Sequence, residues 1–154
     1  MQQLHGYHPP MRSFTNAVPA LDEFLAQPLV ARLATNGPTV RPLWFLWEDD
    51  AFWWLTGSYS KLPERLARDP KVSLVIDACD LATGTVLQVI SSGTAKVVPM
   101  DPDRARRKLR RYLGEDEHSW PERFQAVFTD PDARLAVMTP RRPPRLIDQS
   151  FTPG

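Results

Sequence analysis

A chain of 154 residues with 42% hydrophobic content amounts to one ordinary domain, and five Trp and seven Phe make its core aromatic. A net charge of +1 offers no global field for nucleic acid or a membrane surface. Cys79 is the only cysteine, which excludes an intramolecular disulfide and a structural zinc site of several thiolates, and fits a reducing, intracellular setting.

Residues 1–16 read as a flexible lead-in, followed by a single domain over 17–154. Met1 to Met11 is polar, contains Pro9-Pro10 and lacks the apolar stretch of a signal peptide. His5 and His8 have metal-like spacing, but the prolines disfavour a helix and no acidic or Cys partner is near, so no metal is expected. No apolar run approaches membrane-spanning length, and the expected location is cytoplasmic.

A first helix is predicted from Val18 to Pro28, with Leu21, Phe24 and Leu25 on one face. Leu29 to Thr35 is the first strand and Asn36-Gly37-Pro38 a turn. Thr39 to Trp47 is a strand that is apolar on both sides: Val40, Pro42, Trp44 and Leu46 against Leu43, Phe45 and Trp47. Such a strand faces a barrel interior on one side and either a second subunit or a flat ligand on the other. Pro42 belongs on an edge or at a bulge. Glu48-Asp49-Asp50 turns the chain into a hairpin with Ala51 to Leu55.

Leu55-Thr56-Gly57-Ser58-Tyr59-Ser60-Lys61 links that strand to a short helix over Leu62 to Arg68. Hydroxyls, free backbone N–H groups and a lysine can hold a phosphate, although a lone Gly57 is not a Walker loop. The plainer reading is a strand-to-helix turn with Ser60 as N-cap and Lys61 solvated.

Lys71 to Ala78 is the next strand, with a loop from Cys79 to Gly84. Thr85 to Val98 is long enough for a strand with a bulge near Ser91-Ser92-Gly93. Asp101-Pro102-Asp103 starts a helix that runs to Leu113, with Gly114 as C-cap. Ala105, Leu109, Tyr112 and Leu113 are its buried stripe; Arg104, Arg106, Arg107, Lys108, Arg110 and Arg111 are read as a solvated face balanced by Glu115, Asp116 and Glu117. The alternative is a polyanion contact. A second helix is predicted from Ser119, its N-cap, to Phe128. Ala133 to Thr139 is a strand, Arg141 to Arg145 a Pro-rich basic bend, and Leu146-Ile147 a last short strand.

This order argues for an α+β, mainly β, antiparallel fold closed into a small barrel. Several segments in succession carry a resemblance: Arg32-Leu33-Ala34-Thr35, Pro42-Leu43-Trp44-Phe45, Thr56 with Ser60-Lys61, Leu66 to Leu74, and Ser92-Gly93-Thr94-Ala95. The chain resembles the pyridoxamine 5'-phosphate oxidase-like split-barrel family, and within it the small actinobacterial branch of flavin- and deazaflavin-dependent oxidoreductases. His118-Ser119-Trp120, Arg123 to Val127 and Asp130 are similar to that branch's late helix. Arg65 stands where an amide residue is common, and Pro63 is an added residue.

The resemblance implies a six-stranded antiparallel split β-barrel with peripheral helices, a homodimer, and a cofactor site at the subunit interface. The cofactor would be a deazaflavin of the F-420 type or FMN. Its phosphate would bind Ser58, Ser60 and Lys61 with help from Arg65. Its ring would lie along Pro42, Leu43 and Trp44 under Thr56. The implied activity is hydride transfer from the reduced cofactor to a small organic substrate. Such a cofactor brings its own redox chemistry, so no protein acid or base is required and no catalytic residue is named. Trp44, Trp53 and Trp54 read equally as core, and Cys79 between Asp77 and Asp80 is a poor nucleophile. The second reading is a non-catalytic module of the same fold that holds FMN, a deazaflavin, or a heme or tetrapyrrole. No nucleic-acid or membrane partner is expected.

Overall fold

The structure is a computed structural model that describes residues 20–154. The lead-in, the His5/His8 pair and the predicted start of the first helix at Val18 lie outside the described residues. Helix α1 (Leu21–Leu25) is followed by strands β1 (Val30–Thr35), β2 (Thr39–Trp44), β3 (Leu46–Glu48) and β4 (Ala51–Thr56). Then come α2 (Leu62–Arg68), β5 (Lys71–Asp80), β6 (Thr85–Val98), α3 (Pro102–Leu113), α4 (Glu122–Gln125), β7 (Arg134–Pro140) and β8 (Ile147–Asp148).

All pairings are antiparallel, in the order β2-β1-β5-β6-β7-β4-β3, with β8 beside β6. The two ends of that order, β2 and β3, are separated in the chain by Phe45 alone. The sheet must therefore curl until its ends meet, closed by a covalent corner and not by a ladder. This is the split barrel, with eight strand segments where six were expected. Pro42 sits on β2, a terminal strand, where its missing N–H costs no ladder bond.

The predicted strand from Thr39 to Trp47 is thus two strands. The break falls at Phe45, and Phe45 and Leu46 are both buried. Tyr112 from α3 seals it: its hydroxyl accepts from the Phe45 N–H at 3.1 Å and donates to the Leu29 carbonyl at 2.6 Å. The β3–β4 connection is a two-residue turn with Asp49 and Asp50 at φ 54° and 55°, the left-handed pair that matches hairpin twist.

Strand β6 spans both halves of the barrel. It pairs with β5 from Thr85 to Thr94 and with β7 from Gly93 to Val98. The predicted bulge at Ser91-Ser92-Gly93 is absent, because both registers run without a slip. Gly93 serves instead at the crossing, where a Cβ would collide with the Thr139 carbonyl. Strand β5 extends through Asp80, so Cys79 lies in a strand and not in the loop. Core side chains come from every strand through β7, with Phe24 and Leu25 of α1 and Leu62 and Leu66 of α2 in the same cluster.

In α3, the Asp101 carboxylate accepts from the Arg104 N–H at 3.2 Å and Gly114 ends the helix at φ 93°. Its cationic face is not simply solvated. Arg107 makes a forked bond to Glu48 at 2.8 and 2.6 Å, and Arg104 reaches Asp49 at 2.7 Å while lying 3.6 Å over the Trp53 ring. Arg106 and Arg110 share Glu117 at 3.3 and 3.0 Å, and Arg111 donates to the Leu25 carbonyl at 3.0 Å. Lys108 is buried in the apolar stripe beside Ala105 and Leu109. The helix clamps the β3–β4 hairpin, and each of its arginines has a carboxylate or carbonyl partner among the described residues.

The predicted helix over Ser119 to Phe128 is broken into a 3₁₀ turn at Glu117–Ser119, α4, and a second 3₁₀ turn at Ala126–Phe128. Pro121 holds Trp120 in extended backbone, so the helix cannot run through. Ser119 then donates back to the Asp116 carbonyl at 2.7 Å instead of capping a helix.

Candidate functional site

The free edge of β2 faces the Gly57–Lys61 turn that follows β4. Arg41 bridges the two. It pairs in register with the fully buried Leu33, so it projects from the inner face of β2, and its Nη1 donates to Ser60 Oγ at 3.2 Å. Ser60 Oγ also accepts from the Leu62 N–H at 3.1 Å. Ser60 thus caps the start of α2 from one residue before the N-cap position, which is held by Lys61.

Arg65, on the first turns of α2, reaches the β1–β2 turn. Its Nη1 lies 3.6 Å from the point a Cβ on Gly37 would occupy. The Nε atoms of Arg41 and Arg65 are both buried with no hydrogen-bond partner among the described residues. A buried guanidinium N–H without an acceptor is costly, and an anion at this corner would relieve the cost. Ser58 and Lys61 are exposed beside it, and Ser60 is half-buried. The orphaned N–H groups are donors suited to an anionic oxygen such as a phosphate carries.

The remaining predicted residues are not on one surface. Pro42 and Trp44 point outward from β2, while Leu43 pairs with buried Ala31 and packs against the core. Thr56 is 2% exposed and points into the barrel, its hydroxyl unpartnered there like the Trp54 indole N–H. The Trp44 ring is already stacked on Tyr112 (4.6 Å, 5° between planes) and on Phe124 of α4 (5.4 Å, 17°). Lys108 Nζ lies 5.8 Å from the centre of that ring, and burial pulls its amine down to about 7. Burial likewise pushes the Tyr112 hydroxyl up to about 12.

Arg41 is absent from the residues expected from the sequence. Its signal was legible: it is a cation on the Leu43/Phe45 side of a strand otherwise apolar on both sides. A charge on an inward face needs a partner.

The family model described as pyridoxamine 5'-phosphate oxidase matches residues 17–142. The chain belongs to this family. Among solved structures, a conserved hypothetical protein from Mycobacterium tuberculosis is 21% identical, with 90% of each chain covered and a TM-score of 0.64. The heme storage protein of Vibrio cholerae is 16% identical over 84% of this chain and 92% of its own, with a TM-score of 0.61. An F-420 reductase is 20% identical over 84% of this chain and 98% of its own, with a TM-score of 0.55. At such identities these likenesses concern the fold. No curated protein matches the sequence. Within the pyridoxamine 5'-phosphate oxidase family fold, the Arg41–Ser60 bridge joins the terminal strand β2 to the turn that follows β4.

Proposed function

We propose that this protein is a cytoplasmic, homodimeric oxidoreductase that uses a deazaflavin of the F-420 type or FMN to reduce a small organic molecule. The observation that carries the reading is the buried, unpartnered Nε of Arg41, whose Nη1 is bonded to Ser60, together with the equally unpartnered Nε of Arg65 on α2. Arg41, Ser58, Ser60 and Lys61 hold the cofactor phosphate, with Arg65 closing the corner from α2. The bound ring supplies the hydride chemistry. The chain's part is to anchor, orient and keep water away. Pro42 and the edge of the stacked Trp44 form one wall, and Leu43 and Thr56 support it from inside.

Support for the dimer comes from the outer face of the barrel. Pro42, Arg32 and Val75 line up across β2, β1 and β5. Val40 is 69% exposed and Val30 37% on the same face. Apolar side chains left in water on a sheet face support a subunit contact there. A partner subunit seated there would complete the ring slot beside Pro42. The second reading, a module that only stores a tetrapyrrole or flavin, is favoured by the likeness to the heme storage protein.

The test is titration of the purified protein with FMN and with an F-420 deazaflavin, followed by tryptophan quenching, for the native protein and Arg41→Gln. Loss of one charge-assisted contact is expected to weaken binding roughly 10- to 100-fold. Equal affinity in the variant refutes the phosphate assignment. Turnover of the reduced cofactor with candidate acceptors separates the enzyme from the storage module.

A further inference from the structure

A second cationic cluster lies away from the Arg41–Ser60 corner. Between the end of β7 at Pro140 and the start of β8 at Ile147 the chain bows away from β6. The edge of β6 is paired to β7 from Gly93 onward and to β8 at Leu87 and Gln88. Between them, Arg141 N–H to the Ser92 carbonyl at 2.9 Å is the one bridging backbone bond among the described residues. Ser92 and Val86 both accept on this edge, so by strand alternation the backbone N–H and carbonyl of Ile90 face it too, beyond the reach of either ladder. The result is an open cleft of about 800 Å³ beneath the bend, floored by Ile90 and Ile147 and walled by Arg141, Arg142 and Arg145.

The three guanidiniums are exposed, and none forms a salt bridge with a carboxylate of the described residues. Residues 1–19 contain no Asp or Glu, so no acidic side chain from that stretch can serve them either. The contrast with α3 is informative, since its arginines are engaged with Glu48, Asp49, Glu117 and the Leu25 carbonyl. Three like charges within five residues repel one another, and forked guanidiniums suit carboxylate and phosphate oxygens. Arg141 also lines a neighbouring groove of about 750 Å³ that runs past Lys71 to Asn36 and Pro38, which adds a further cation along the path.

We propose that the cleft under the Arg141–Arg145 bend is a second anion site, which takes a small molecule bearing several carboxylate or phosphate groups. The guanidiniums hold the charges, the Ile90 backbone offers a donor and an acceptor, and Ile90 and Ile147 pack against the ligand's carbon skeleton. The ligand is either a free polyacid or an acidic tail on the redox cofactor; both present the same chemistry to the bend.

The test is calorimetric titration of the full-length protein with citrate and with inorganic triphosphate at low salt, with and without FMN. Saturable binding is expected, weakened roughly 100-fold in Arg142→Gln/Arg145→Gln by the loss of two charge-assisted contacts, and unchanged in Arg123→Gln on α4. Should the double variant misfold, Arg145→Gln alone is expected to lose roughly tenfold. A cofactor with an acidic tail that displaces citrate identifies the tail as the occupant; citrate bound alongside that cofactor identifies a free acid. Equal binding in the double variant overturns the proposal. So does displacement of citrate by FMN or its loss in Arg41→Gln, which would place the anion at the cofactor corner. Dissociation of a dimer by the double variant overturns it as well, because the bend would then be serving a second copy of the chain.

Discussion

Replacing Lys108 by Met tests the account of how α3 is packed. Lys108 is 5% exposed, and burial alone lowers its amine from 10.5 to about 7. Below pH 7 the folded and unfolded chains both hold the proton. Between about 7 and 10.5 the unfolded chain binds it and the folded chain does not, so this group makes stability rise with pH across that window. The gap corresponds to a burial penalty of at most about 5 kcal/mol at low pH. Of this, at most about 3 kcal/mol is recovered between pH 7 and about 9.5. Met keeps the length of the stem and removes the charge. Lys108→Met is therefore expected to be more stable than the native protein near pH 7, with the advantage shrinking toward pH 9.5. Urea unfolding followed by tryptophan fluorescence at the two pH values reads the difference directly. An advantage that does not change with pH, or a less stable variant at pH 7, would refute the reasoning. The range stops below pH 10 because Tyr112, raised to about 12, keeps its proton in the folded chain after the unfolded one loses it, and so lowers stability at higher pH.

Tyr112→Phe leaves the Phe45 N–H and the Leu29 carbonyl without their hydroxyl partner, and a loss of roughly 1–3 kcal/mol in denaturant unfolding is expected. Gly93→Ala pushes a methyl into the Thr139 carbonyl where β6 passes from β5 to β7, and should lower the melting temperature by several degrees; an unchanged melting curve would show that the crossing relaxes at no cost. Lys61→Ala is expected to weaken FMN or deazaflavin binding by roughly 1.5–3 kcal/mol, read by the same quenching titration as for Arg41→Gln.

Local rules account for much of what was legible in the sequence. The alternation of Val72, Leu74 and Ile76, the Asn36-Gly37-Pro38 turn and the Asp101 and Gly114 caps act within a few residues, and each stands where expected. The Glu48–Ala51 hairpin does so as well. The candidate phosphate corner was half visible: Ser60, Lys61 and Arg65 follow one another in the chain, whereas Arg41 is nineteen residues before Ser60 and joins it only through the fold.

Composition and periodicity by themselves determined an aromatic core, mainly antiparallel strands, and a hydroxyl- and lysine-bearing turn after β4. The barrel's closure decided the rest. It broke the strand at Phe45, because a sheet whose ends meet must turn a corner, and it drew Tyr112 there to satisfy the exposed backbone. It buried Lys108 in a stripe that helical spacing shares with Ala105 and Leu109, and it spent the α3 arginines on the hairpin carboxylates. Partners distant in the chain set those outcomes, and a linear pattern of residues carries no distance between them.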